Sequence, residues 1–264
     1  MRQEVHVSCK KVYNIGMKIT VITLFPEMIN SFIGESIVKR AVEKGSVTIE
    51  LINLRDFAAD SYGTVDDRPY GGGAGMVMKV DVIGRALAKV KSTESKVLLT
   101  TPKGQLFDQG KAEKLAEEKQ IVIIAGHYEG YDERIRHLVD EEISLGDFVM
   151  TGGEITAAAI IDSVVRLLPG VLKKESATIE ESHSIVSLQE LKKAVGENEL
   201  IERLIEKGIA EVRLIEYPHY TRPEEYNGAK VPSILLSGDH KKISEWRLKM
   251  AFEETIRRRP DLLE

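Results

Sequence analysis

The chain has 264 residues and a net charge of −5, and 42% of it is hydrophobic, 30% charged and 6% aromatic. These values exclude a wholly disordered chain. The single cysteine, Cys9, excludes an internal disulfide and a zinc site built from cysteines. No uncharged apolar run approaches the ~18 residues of a membrane span, and residues 1–16 lack the apolar segment of a signal peptide. The composition predicts a soluble cytoplasmic protein, and no metal-binding residues are predicted.

Apolar runs that favour strands alternate with segments of helical periodicity from Met17 onward. The predicted strands are 18–24, 47–54, 96–100, 121–126 and 142–150. The predicted helices are 26–44, 80–91, 108–119, 131–141 and 154–168. This alternation indicates an α/β domain with a largely parallel sheet.

The chain changes character after residue 172. Residues 173–212 begin with a polar stretch and continue into a charged helical pattern, so they are interpreted as a linker with a helical insertion. Residues 213–264 are predicted to form a small all-helical domain, whose last helix, 240–259, carries a local charge of +4. The predicted organisation is an extension (1–16), an α/β domain (17–172), this linker and the C-terminal domain.

Three predicted loops, 100–104, 125–130 and 144–153, follow strands. In a parallel sheet the ligand crevice lies beyond the carboxyl ends of the strands, so the loops are expected to meet at one site. Their glycines allow close backbone approach to a ligand, although each loop by itself is equally typical of a tight connection. Neither GxxxxGK[ST] nor GxGxxG is present, which favours an adenosine-type ligand without phosphates.

The segment DDRPYGGGAGM (66–76) is the most specific local sequence. Its arginine and acids suit the edge of a guanine base, whereas the alternative is a flexible surface turn. In the helix near 154–168, Asp162 and Arg166 are spaced as an ion pair, and three alanines (157–159) permit close packing in a subunit interface or in the core.

Several other polar residues carry two interpretations. They are His127, Tyr128, His219 and Tyr220, each of which is either part of a functional site or an ordinary loop or partly buried polar residue. The basic C-terminal helix, with Trp246 and the TRP turn at 221–223, is either a solvated face or a surface for the RNA backbone.

Taken together, a series of segments resembles the bacterial tRNA (guanine-N1)-methyltransferases, which modify guanine 37, just 3′ of the anticodon. In chain order the segments are ITLFPEM, VDDRPYGGGAGM, AGHYEGYDERI, EISLGDFVMTGGE, IDSVVRLLPGVL, YPHYTRPEEYNG, VPSILLSGDH and WRL. They extend from about Met17 to the C-terminus, and their combination is highly specific.

The resemblance implies a deep trefoil knot in the parallel sheet, an exception to the rule against threaded connections. It implies a homodimer with active sites shared between subunits, and S-adenosylmethionine bound in the knot. The cofactor-binding residues that it implies are Leu99, Thr100, Thr101, Pro102, Gly126, Tyr128, Glu129, Ser144, Leu145, Gly146, Asp147, Phe148, Val149, Met150, Gly152 and Gly153.

The resemblance also implies the catalytic pair. Guanine N1 carries a proton, so the reaction needs a carboxylate general base and a cation near O6. The implied cation is Arg166. The family's base is an Asp in a linker motif like EDSF, whereas this chain has Glu180-Glu181-Ser182-His183, which makes Glu181 the predicted base and Glu180 the alternative. About twenty extra residues follow this motif.

The expected substrate is the anticodon stem-loop of a tRNA, whose target base must be extruded before it can react. The predicted substrate-binding residues are Asp67, Arg68, Tyr70, Gly71, His219 and Arg222. Two other functions are consistent with the sequence: methylation of a ribose 2′-hydroxyl, and RNA binding without catalysis.

Overall fold

The structure is a computed structural model that describes residues 16–172 and 181–263. The chain divides into two compact units, Met1–Lys173 and Lys174–Glu264. Most of the predicted N-terminal extension, including Cys9, lies outside the described residues, and so does the beginning of the predicted linker (173–180). Within the described ranges, no helix combines the length and the apolar character needed to cross a membrane.

The N-terminal unit is built on a parallel five-stranded sheet, as the alternating pattern predicts. Its strands, including one short hairpin outside the sheet, are β1 (Met17–Thr23), β2 (Val47–Asn53), β3 (Asp66–Asp67), β4 (Val77–Met78), β5 (Ser95–Leu106), β6 (Gln120–Ile124) and β7 (Glu141–Ser144). The order in the sheet is β2-β1-β6-β5-β7, and β3 pairs with β4 alone. Every pairing in the large sheet is parallel.

Helices cover both faces of this sheet. They are α1 (Pro26–Ile33), α2 (Ser36–Glu43), α3 (Val80–Val90), α4 (Gln109–Leu115) and α5 (Glu154–Val165). Successive residues of β6 point to opposite faces, so Ile121 and Ile123 join one buried cluster while Val122 and Ile124 join the other. This two-sided burial explains why the central strands read as unbroken apolar runs.

Helix α5 packs in the core of this unit. Ala157 is fully buried within one apolar cluster, whereas Ala158 and Ala159 are half-buried. Asp162 lies exposed on the same helix, so the sequence pair Asp162 and Arg166 is not a buried ion pair.

Several predicted bounds are wrong. The predicted helix 26–44 is two helices interrupted at Gly34, and the predicted helix 131–141 is a short 3-10 helix, Glu133–His137. The predicted strand 142–150 ends at Ser144. Asp108 does cap α4, because its carboxylate accepts from the Lys111 N–H at 2.7 Å.

The predicted loop 100–104 belongs to one long strand. Strand β5 pairs with β6 through Leu99 and with β7 on both sides of an irregularity between Thr100 and Gln105. A Cβ placed on Gly104 would overlap the backbone of Ile143, so β5 and β7 pass each other here at a distance that only glycine permits. Pairing with β7 therefore extends the strand beyond its apolar run.

The C-terminal unit mixes helices and strands, and the prediction of an all-helical domain is wrong in this respect. Its elements are β8 (Ser184–Ser187), α6 (Leu188–Val195), α7 (Glu199–Glu206), β9 (Glu211–Leu214), β10 (Glu225–Tyr226), β11 (Ala229–Lys230) and α8 (His240–Arg258). The antiparallel pairs are β8 with β9 and β10 with β11.

The predicted linker also needs correction, because most of its described part belongs to the core of this unit. Helices α6 and α7 bury Leu191, Ile201 and Leu204 in one apolar cluster with Phe252 of α8. Although this region looks highly charged in sequence, each of the two helices carries one apolar stripe, and these stripes pack the helices into the core of the unit.

Candidate functional site

A cavity of about 310 Å³ lies in the N-terminal unit, where the three predicted loop segments meet. Its size falls at the lower end of small-molecule sites, which run from about 300 to 1,000 Å³. Every residue predicted to bind a cofactor lines this cavity except Asp147. The further lining residues are Lys103, His127, Gly130, Tyr131, Asp132, Glu133, Ile135, Arg136, Glu142, Ile143, Thr151 and Thr156.

Glycines allow these segments to pack against one another. A Cβ on Gly126 would overlap the Tyr131 ring, and one on Gly153 would overlap the Thr100 hydroxyl. The Gly153 N–H donates to the Gly126 carbonyl at 2.8 Å, which joins two of the loops directly. At these positions the close approach predicted for a ligand is made by the protein itself.

A buried carboxylate connects the loops to the sheet. Glu154, at the start of α5, is 2% exposed. Its Oε1 accepts from the Thr23 hydroxyl at 2.6 Å, and its Oε2 lies 2.7 Å from His127 Nε2. The Thr23 oxygen in turn accepts from the Phe25 N–H at 2.9 Å. One side chain therefore ties together the end of β1, the loop after β6 and the loop before α5.

His127 is thus partly buried, as its alternative interpretation expects, and it also lines the cavity. Its ring meets the Phe25 ring edge-on, with centroids 4.7 Å apart. Sequence reasoning did not connect His127 with Glu154. Their separation in sequence hides the pairing, and only the position of both residues after strand ends hints at it.

Tyr131 also lines the cavity and was missed by sequence reasoning. Its hydroxyl lies 3.2 Å from the carbonyl oxygens of both Thr100 and Ile124 and donates toward them. Burial raises the pKa of Tyr131 above its ordinary value, so the phenol stays protonated and remains a donor. The Thr100 hydroxyl donates to the same Ile124 carbonyl at 3.1 Å.

Carboxylates dominate the charged lining of the cavity. Asp132 accepts from the Arg134 side chain, which lowers the pKa of Asp132 to about 2. Glu133 and Glu142 both pair with Arg136, at 2.6 and 2.5 Å. Because these arginines offset most of the carboxylate charge, the lining keeps only a small excess of negative charge, which does not favour phosphate.

Backbone hydrogen bonds attach the hairpin of β3 and β4 to the loop that follows β6. The Glu129 N–H donates to the Met76 carbonyl at 3.0 Å, and the Met78 N–H donates to the Gly130 carbonyl at 2.9 Å. The predicted substrate-binding residues Asp67, Arg68, Tyr70 and Gly71 are all exposed on this hairpin. They do not line the cavity.

The structure places the remaining predicted residues in both units. Arg166 is half-buried at the end of α5 in the N-terminal unit. Glu181 is half-buried in the C-terminal unit, and Glu180 lies outside the described residues. His219 Nε2 lies 3.2 Å from a Glu216 carboxylate oxygen, and Arg222 is exposed.

Replacing Gly153 with Ala is expected to lower the free energy of unfolding by about 1–3 kcal/mol, because the added methyl group overpacks the Thr100 contact. The φ of Gly153 is −87°, which any residue adopts, so only space forbids the side chain. Urea unfolding measures the effect. Gly84→Ala is the control: its Cβ would meet only Leu138 at 3.8 Å, and a helical alanine should add about 0.5–1 kcal/mol. Equal stability of Gly153→Ala and the unaltered protein would contradict the described packing.

Comparison with known proteins agrees with the sequence resemblance. Residues 17–264 match the family described as tRNA (Guanine-1)-methyltransferase TrmD. Relatives called tRNA (guanine-N(1)-)-methyltransferase include a protein from Anoxybacillus flavithermus that is 50% identical over 252 residues, covering 94% of this chain and 92% of its own length. A protein of the same description from Bacillus subtilis is 48% identical over 251 residues, with the same two coverages. The chain therefore belongs to the tRNA (guanine-N1)-methyltransferase family.

Proposed function

We propose that this enzyme transfers the methyl group of S-adenosylmethionine to N1 of guanine 37 of tRNA, next to the anticodon. The observation that carries the proposal is the cavity, where the segments predicted to hold the methyl donor meet. Family membership supports the same reaction.

The lining residues fit this donor. S-adenosylmethionine carries a sulfonium, an ammonium and a carboxylate group but no phosphate, so its net charge is positive and matches the small excess of carboxylates among the charged lining residues. Leu99, Pro102, Leu145 and Met150 offer apolar surface for the adenine. When bound, the donor supplies an electrophilic methyl group, for which alignment with N1 is the main requirement.

The chain supplies the proton chemistry. Glu181 takes the proton from guanine N1, which raises the nucleophilicity of that nitrogen. Arg166 holds the charge that develops on O6. Glu181 is one methylene longer than the aspartate of the related motif, and the carboxylate chemistry is unchanged.

The anticodon stem-loop is the proposed partner. Arg68 and Asp67 present the donor and acceptor groups that read a guanine edge. The glycines that follow Tyr70, beginning with Gly71, let an extruded base approach. In the C-terminal unit, His219, Arg222 and the basic helix α8 contact the tRNA backbone.

Three further properties belong to this proposal. The N-terminal unit contains a trefoil knot, the protein is a homodimer with shared active sites, and it works in the cytoplasm, where tRNA is modified. The passage of Gly104 against the Ile143 backbone supports a tightly threaded chain. Exposed apolar side chains next to the cavity, Phe25, Phe148 and Val149, support a subunit contact there.

The test uses labelled S-adenosylmethionine and tRNA transcripts that differ only in the base 3′ of the anticodon. Label is expected in the guanine transcript alone, at N1. Incorporation into all transcripts at a ribose would establish 2′-hydroxyl methylation instead. Tight binding of tRNA and of the donor without incorporation would leave an RNA-binding protein and overturn the proposal.

A further inference from the structure

The segment that follows Glu181 is held in place by strand β9. The Ser184 N–H donates to the Glu181 carbonyl at 3.1 Å, which closes a tight turn over residues 181–184. The His183 N–H donates to the Leu214 carbonyl at 2.7 Å, and the Arg213 guanidinium donates to the His183 carbonyl at 2.6 Å. Both backbone groups of His183 are therefore bound to β9.

The turn adopts a backbone conformation that its sequence does not favour. His183 has a φ of +70°, in the left-handed region where glycine is preferred. Such a conformation persists only where surrounding contacts hold it, and here the contacts come from Arg213, Leu214 and the Glu216 N–H, which donates to the Ser182 hydroxyl at 3.2 Å.

The inserted residues make this attachment possible. Strands β8 and β9 pair from Ser184 with Leu214 to Ser187 with Glu211, and α6 and α7 form the connection between them. The apolar faces of both helices pack against β9 and α8 in one cluster. The insertion thus builds a hairpin whose first strand begins three residues after Glu181.

We propose that Arg213 is a positioning residue that orients the Glu181 carboxylate by fixing the turn after it. This inference rests on the proposed function, in which Glu181 is the base. The guanidinium spans from the middle of β9 to the His183 carbonyl, a reach that a shorter side chain lacks. Without this donor the turn loses the contact that fixes the His183 carbonyl, and a small displacement of a catalytic group has a large effect on rate.

The experiment measures single-turnover methyl transfer at saturating tRNA and S-adenosylmethionine in the full-length protein. Arg213→Ala is expected to lower the rate about 10- to 100-fold without changing the Kd of either ligand. Arg213→Lys keeps one donor on a long side chain and should recover most of the rate. The control is Arg203→Ala, because Arg203 also donates to a carbonyl, that of Glu199, but within α7. It should react at the unaltered rate.

Other outcomes separate the two proposals. A normal rate for Arg213→Ala, together with a slow Glu181→Gln, would overturn this inference and leave Glu181 as the base. A normal rate for Glu181→Gln would overturn both. A raised tRNA Kd for Arg213→Ala, with a shallower salt dependence and an unchanged rate, would make Arg213 a phosphate contact and overturn the positioning role.

Discussion

Glu181→Gln is expected to slow methyl transfer about 10²- to 10⁴-fold, the usual contribution of a general base. The amide has nearly the size of the carboxylate but accepts no proton from guanine N1 at neutral pH. The affinity for S-adenosylmethionine should not change, because the residues proposed to hold it belong to the other unit of the chain. Single-turnover kinetics and calorimetric titration with the donor measure the two quantities.

Two further substitutions make this test decisive. Glu180→Gln tests which of the two glutamates is the general base. A large loss of rate in this variant, with little loss in Glu181→Gln, would transfer the role of the base to Glu180. Arg166→Ala should also abolish transfer without weakening donor binding, because its proposed partner is O6 of guanine. Turnover of Glu181→Gln within a few-fold of the unaltered rate would remove this side chain from proton transfer.

Glu154→Ala is expected to lower the free energy of unfolding by about 1–3 kcal/mol, the cost of leaving a buried hydrogen-bonding group without its partner. It leaves the Thr23 hydroxyl and His127 Nε2 without their carboxylate and opens a cavity between the loops. Affinity for the donor should fall as well, since His127 lines the cavity. Urea unfolding followed by circular dichroism measures the stability.

Matched variants separate the contacts of Glu154 from its charge. Glu154→Gln keeps the shape and most hydrogen bonds, so it should lose much less stability. Glu43→Ala removes an exposed glutamate at the end of α2 and should stay within about 0.5 kcal/mol. The only tryptophan of the sequence, Trp246, lies in the C-terminal unit, whereas Glu154 lies in the N-terminal unit. The loss of stability measured by tryptophan fluorescence is therefore expected to be smaller than the loss measured by circular dichroism. A loss below about 1 kcal/mol for Glu154→Ala would show that the network does not hold the loops.

Much of the N-terminal unit is readable from local pattern. Runs such as KITVITL and IVIIAG are mostly apolar on both faces of the strand because each strand is covered on both sides, and that pattern predicts a parallel sheet. The three loop segments were predicted to meet because the carboxyl ends of parallel strands share one edge of a sheet.

Element bounds and the insertion were harder to predict. Thr101 to Gly104 look like a loop because they form the irregularity in the pairing with β7, which resumes at Gln105 and so lengthens the strand beyond its apolar run. The region 188–206 looks like a charged linker because each helix buries only a narrow stripe, and nothing local shows that Phe252 of α8 completes the cluster.

The sequence alone determined the fold class, the family and the three segments that meet at the cavity, because these depend on periodicity and on contiguous motifs. Tertiary structure alone decided that Glu154 joins Thr23 and His127, that Gly126 and Gly153 make room for Tyr131 and Thr100, and that Arg213 binds the turn after Glu181. Each of these contacts joins residues far apart in the chain, and their distances follow from how the strands and helices pack rather than from any local pattern.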